Sequence, residues 1–444
     1  MDTSIDLIRG KVLKSLVLFS LPFLFSNIFQ QLYNTIDTYI VGNTLDETAL
    51  AAIGACGAIY ELLVGFAVGV GNGFSVVVAR FFGEGNEKQV RKSVAASIVI
   101  SVIITVVMMI FSAFLLRPML ELLNTPAEII DDAYSYIGII GIFIGVMFAY
   151  NLLAGFLKAI GNSFMPLVFL IISTIVNVIL DYVFIAMMNT GIKGAAIATV
   201  IAQLVSAVLC AIYIWKKYPD ILPQKEDMKA EKNLYNELWA QGLSMGFMSS
   251  IVSMGTVILQ YSINGLGTMI IAGHTAARKI MAFSTLPITT LGLSITTYAS
   301  QNKGAGKKDR ILKGVRYANI MTTVWSIIAA IILIPLSKPL VELLSGSTDA
   351  VVLTNGANYL KFNVLFYIPL GILINMRCSL QGIGYKILPL ISSVIELLGK
   401  IVFTFLLIPT LKYTGVIICE PVVWCLMAIQ LVISFYRNKY IREG

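Results

Sequence analysis

Charged side chains are scarce: Asp, Glu, Lys and Arg make up 13% of the 444 residues, against about 25% in ordinary soluble domains. That shortage excludes a soluble globular enzyme. The 57% of hydrophobic residues excludes a disordered chain, which needs low hydropathy and high charge. Cysteine is sparse as well. Cys56, Cys210, Cys378, Cys419 and Cys425 are too few to staple a chain of this length and show no CxxC pairing, so they read as small core residues. The single histidine, His274, speaks against an intramembrane metalloenzyme, which needs several ligands; at the start of a span, it reads as interfacial. Nucleotide signatures are missing too. Gly69, Gly71 and Gly73 spell GxGxG but follow no strand, and GAGKK at 304–308 has Gln301 in place of the earlier P-loop glycine. No loop is long enough for a catalytic domain; the longest polar stretch, Tyr218 to Asn233, carries Pro219 and Pro223 among alternating charges and reads as a linker.

Long apolar runs are abundant. At roughly 20 residues per spanning helix, the composition supplies about a dozen spans. Runs and polar breaks predict twelve helices, starting near residues 14, 49, 92, 132, 163, 194, 234, 272, 314, 354, 386 and 414. Arg9, Lys11 and Lys14 precede the first run as in a signal peptide, but no small-residue cleavage site follows and Asn27, Gln30, Gln31 and Asn34 interrupt it, so it is expected to remain a span. With the N-terminus inside, 23 Lys and Arg fall on the inner side and five on the outer. This asymmetry predicts a multi-pass protein of the cytoplasmic (inner or plasma) membrane with both termini cytoplasmic. It also assigns the net charge of +8 to orientation rather than to nucleic acid.

The two halves repeat at a spacing of about 221 to 223 residues. FFGEGNEKQVRKSV (81–94) matches NKGAGKKDRILKGV (302–315), and GFLKAIGNSFMP (155–166) matches CSLQGIGYKILP (378–389). Tyr136 then falls on Tyr359, and Gly194 on Gly415. Six helices per repeat bring both repeats into the membrane from the same side. The expected fold is an all-α polytopic membrane protein, twelve transmembrane helices in two six-helix lobes (1–222 and 223–444) related by a pseudo-two-fold along the membrane normal. Gly65, Gly69 and Gly73 recur every fourth residue, the spacing that lets helices approach closely.

Buried charge in a bilayer costs about 2.5 to 3.5 kcal/mol on insertion scales, so each instance needs a reason. In the first helix, Asn27, Gln30, Gln31, Asn34, Asp37 and Thr38 follow steps of three and four and share a face. In the fifth, Asn177 and Asp181 are four apart; the sixth brings in Thr199, and the fourth offers Tyr136 and Asn151. Counted at 1.5 Å per residue from the cytoplasmic starts, Asp37 and Asp181 lie roughly 34 and 27 Å along their helices, in the same half of the membrane. Two carboxylates with amide and hydroxyl company suit a proton or a hard cation such as Na⁺. A structural hydrogen-bond network, or for Asp37 a helix cap, is the alternative. Glu61 reads equally as site or network. Glu396 and Lys400 are four apart in the favourable ion-pair order and read as structure; depth alone assigns no role to Arg278, Lys279, Arg377 or Glu420.

NTIDTYIVG, ARFFGEGN, GFLKAIGN, NVILD, GAAIAT and QNKGAGK together resemble the multidrug and toxic compound extrusion transporters, over nearly the whole chain from Leu13 to Tyr436. The resemblance implies a V-shaped, twelve-helix antiporter, not an enzyme, that exports amphipathic organic cations in exchange for H⁺ or Na⁺ without another cofactor. Its branch with coupling groups in the first lobe matches Asp37, Asn177, Asp181 and Thr199 individually. Pro22 matches a proline linked with bending, and Tyr136 and Asn151 match more loosely. The second branch's carboxylates are missing: Gln260 is the nearest polar candidate in helix 7, and Tyr359 with Asn363 stands where Tyr-x-x-x-Asp is expected. A monomer in the lipid bilayer is expected. The nearest rival is a lipid-linked oligosaccharide flippase with Arg278, Lys279 and Arg377 on pyrophosphate; the acids of helix 1 argue against an anionic cargo.

Overall fold

The computed structural model describes the backbone of residues 4–45, 47–123, 125–229 and 231–443, and their side chains except at 34, 37–39, 43, 47 and 443. Among the described residues there is no strand. The first repeat contains α1 (Val12–Thr44), α2 (Glu47–Gly83), α3 (Glu87–Leu122), α4 (Ile130–Ile142), α5 (Ile144–Ala159), α6 (Phe164–Asp181) and α7 (Ile192–Lys217). The second contains α8 (Lys232–Asn264), α9 (Thr268–Gly304), α10 (Lys308–Ser345), α11 (Ala350–Val364), α12 (Tyr367–Gly382), α13 (Ile387–Val402), α14 (Ile408–Leu411) and α15 (Tyr413–Tyr436), followed by the short α16 (Lys439–Glu443).

Ten of these elements are long and apolar enough to cross a membrane alone, with the π-helical segments described below continuing α6 and α13. The pairs α4/α5 and α11/α12 are spans bent by 48° and 55°, which completes twelve spans, six per repeat. Sequence periodicity placed each of the two bent pairs as one helix. The break is a single residue, Phe143, in the first pair, and no proline stands within it to announce it.

The duplication is also visible in backbone conformation. Gly85 and Gly306 take φ of +69° and +67°, and Gly161 and Gly384 take +90° and +85°; side chains rarely adopt such angles, so these loop positions favour glycine. Asn189 and Lys412, equivalent in the repeat, both take φ of 52°. α6 runs into a π-helical turn, Tyr182–Met187, and α13 into another, Phe403–Leu407. Caps start two of the helices, α3 five and α11 four residues ahead of the expected positions: the Asn86 side chain accepts from the Gln89 N–H ahead of α3, and Asp349 caps α11 through the N–H groups of Val351 and Val352.

Packing divides the chain into two units, Met1–Asp6 with Leu21–Ser250 and Leu7–Ser20 with Ile251–Gly444. These boundaries fall inside α1 and α8, whereas the sequence repeat divides at the linker. In the first unit, a Cβ added to Gly69 would stand 2.5 Å from the Met245 carbonyl oxygen, and one on Gly73 would stand 2.6 Å from that of Gln241. The glycine stripe of α2 therefore brings the backbones of α2 and α8 into contact, as small-residue spacing predicts. In the second unit, Arg310 and Asn302 donate to the Leu7 carbonyl, and Arg310 also to that of Gly10, which ties the leading segment down.

Candidate functional site

In the first unit, α6 and α7 meet along a seam of small polar side chains. The Ser206 hydroxyl donates to the Phe169 carbonyl at 3.1 Å, and Ser173 donates to Ala202 at 2.7 Å. One and two turns further along the same face of α6 stand Asn177 and Asp181, both with no exposed surface. Thr199 of α7 is also buried, and its Oγ1 accepts from the Tyr33 hydroxyl of α1 at 3.2 Å. Neither amide atom of Asn177 has a hydrogen-bond partner among the described residues, although an unsatisfied buried polar group costs about 1 to 3 kcal/mol. The π-helical turn begins at the residue after Asp181, and such turns are frequent at functional sites.

Asn34 and Asp37 lie on α1, in the turns that follow Tyr33; their side chains are outside the described residues. Tyr136 on α4 is buried. Asn151 donates to the Met147 carbonyl of its own helix at 2.8 Å, and Glu61 on α2 is exposed; no described hydrogen bond joins either to the Asn177 and Asp181 pair. α1 stays helical through Pro22, whose carbonyl accepts from the Ser26 hydroxyl at 2.8 Å. Tyr33 was missed in the sequence, although its place one turn before Asp37 on the polar face could have found it.

The second unit contains two buried acid clusters. Glu420 of α15 accepts from Arg278 of α9 and from the Tyr359 hydroxyl of α11, both at 2.7 Å. His274 lies beside them, edge-on to Tyr359 with ring centroids 4.8 Å apart and with Nδ1 3.2 Å from the Tyr413 hydroxyl. It is 4% exposed, covered by Tyr359 of α11 and Tyr413 of α15. Glu396 pairs with Lys400 at 3.0 Å, as the i,i+4 spacing predicted, and with Arg377 at 3.7 Å. Arg377 also donates to Ser392 at 3.0 Å. Arg278 and Arg377 are therefore both held by the protein's own carboxylates, which leaves the flippase reading without two of its three cations. No group of three or more His, Cys, Asp or Glu able to hold a metal occurs among the described residues.

The MatE family model matches residues 22–183 and 245–406, once in each repeat. The chain belongs to the MatE family. As a member of that family it is a membrane transporter. Among relatives of this MatE chain are two named "Probable multidrug resistance protein" from Bacillus subtilis. YpnP is 27% identical over 88% of the chain and 87% of its own length, and YoeA is 23% identical over 97% and 94%. A solved outward-facing structure of a multidrug resistance MATE family transporter of the MOP superfamily matches with a TM-score of 0.89. It covers 100% of both chains at 20% identity, a likeness of fold.

Proposed function

We propose that this MatE chain is a multidrug efflux antiporter that exports amphipathic organic cations in exchange for H⁺ or Na⁺. The observation that carries this reading is the fully buried Asn177 and Asp181 pair on α6, which packs against α7, where the buried Thr199 accepts from the Tyr33 hydroxyl. The relatives named as multidrug resistance proteins support a range of small-molecule drugs as cargo. The working orientation is both termini in the cytoplasm of a plasma-membrane monomer, with repeats 1–222 and 223–444 as the two transport lobes.

In this mechanism Asp37 and Asp181 are a two-state switch. A carboxylate in low dielectric is costly while charged, so it takes up a proton or a hard cation from outside, and the amide oxygen of Asn177 and the hydroxyl oxygen of Thr199 complete an all-oxygen shell suited to Na⁺. Neutralising the pair changes what α1 faces. Because Pro22 cannot donate a helix hydrogen bond, α1 bends there and releases the bound drug outward. An inward membrane potential adds about 2.3 kcal/mol for each net charge moved per 100 mV. Methionine and aromatic side chains adapt to drugs of many shapes.

The test is ethidium efflux from proteoliposomes under a proton gradient and a sodium gradient imposed separately. Asp37→Asn and Asp181→Asn are each expected to abolish gradient-driven efflux. Wild-type rates in both variants would overturn the coupling assignment.

A further inference from the structure

The outer surface of the second unit carries a groove of about 690 Å³ between α10, α12 and α15. From α10 it is lined by Arg316, Asn319 and Thr323, which share a helical face, and from α12 and α15 by Ile372, Val432 and Tyr436. Arg316 is exposed and forms no ion pair with a described residue. It is also the last charged residue of α10 before Lys338. It stands about 12 Å from the helix start at 1.5 Å per residue, at the border between the polar first turns and the apolar span. Asn319 accepts through Oδ1 from Asn375 at 3.0 Å, which leaves its amide nitrogen for a ligand. Beyond these groups the exposed face of α10 is aliphatic: Ile320, Val324 and Ile327 are 47%, 51% and 49% exposed.

We infer that this groove binds one anionic glycerophospholipid of the inner leaflet. Arg316, the Asn319 amide and the Tyr436 hydroxyl hold the phosphate, and an acyl chain lies along Thr323 and Ile372 towards the membrane centre. Charge complementarity selects the occupant. Lys313, Arg437 and Lys439 are all exposed near the same end, and basic pockets between helices on the cytoplasmic side suit anionic headgroups. A cationic drug would meet an uncompensated arginine there. The placement in the inner leaflet rests on the orientation proposed above, but binding itself does not, so a failure of lipid binding leaves the transport reading standing and a failure of transport leaves this site standing.

The experiment is native mass spectrometry of the full chain in detergent with equal dioleoyl phosphatidylglycerol and dioleoyl phosphatidylcholine. The wild type is expected to retain one phosphatidylglycerol in preference to phosphatidylcholine. Arg316→Gln should retain about fivefold less, the effect of one basic group near a headgroup, and Arg316→Lys should stay within about twofold of wild type. Thr323→Trp fills the groove without touching the charge and should lose the bound lipid. Three results would overturn the assignment: equal retention of the two lipids by the wild type; wild-type retention in both Arg316→Gln and Thr323→Trp; or displacement of the lipid by ethidium or by a second copy of the chain.

Discussion

The two units bury their acids in different company. In the first, ion pairs among the described residues lie at helix ends or beyond, such as Arg80 with Glu237, Arg91 with Asp227, Lys92 with Glu231, and Arg117 with Glu121 and Asp131. In the second, Arg278 with Glu420 and the Glu396, Lys400 and Arg377 group lie inside helices that cross the membrane. The repeat sharpens the contrast. At the spacing of the Tyr136 and Tyr359 match, Asn177 corresponds to Lys400 and Asp181 to Thr404; at that of Gly194 and Gly415, Thr199 corresponds to Glu420. Where the first unit has an amide, an acid and a hydroxyl, the second has a base, a hydroxyl and an acid. The spans of the second unit therefore pair their acids with basic side chains, and the coupling proposed above assigns the exchanged ion to the first unit.

The comparison breaks most visibly if the built-in cations are removed. Arg278→Met leaves Glu420 as a buried charge without its cation, and loss of one partner of a buried pair costs about 3 to 5 kcal/mol. A large fall in unfolding temperature is expected, with most of it recovered in Arg278→Met combined with Glu420→Gln. A single variant as stable as the wild type would show that the pair is not structural. Lys400→Met should cost less, about 2 kcal/mol, because Glu396 keeps Arg377 and the charge stays partly compensated; denaturant midpoints rank the two. In the first unit, Tyr33→Phe removes one hydrogen bond to Thr199 and should lower stability by about 1 kcal/mol. The smallest stability effect belongs to Asp181→Asn, expected within about 0.5 kcal/mol of the wild type, because an amide of the same shape is cheaper to bury than a carboxylate. A marked destabilisation there would make Asp181 a structural acid like Glu420.

Much of this was legible in the sequence. Apolar runs gave the helix starts to within six residues, because a span needs about 20 apolar residues whatever surrounds it. The Glu396 and Lys400 pair was legible because i,i+4 spacing fixes proximity within one helix. Asn177 and Asp181 were found for the same reason, as polar groups on one face of an apolar helix. What stayed hidden needs tertiary packing: His274 is covered by helices over 80 residues away in the chain, and Arg278 and Glu420 meet across 142 positions. The repeat could have flagged Glu420, because its counterpart Thr199 was already singled out. The π-helical turns after Asp181 and within the α13 span have no signature in composition.

The central claim is that the exchanged ion binds in the first unit and not among the acids of the second. It is tested most directly by measuring the H⁺ or Na⁺ released when ethidium is added to the purified protein, in the wild type, in Asp181→Asn and in Glu420→Gln. The account predicts that Asp181→Asn releases no ion, while Glu420→Gln releases as many per protein as the wild type. Ion release that survives in Asp181→Asn and disappears in Glu420→Gln would contradict it.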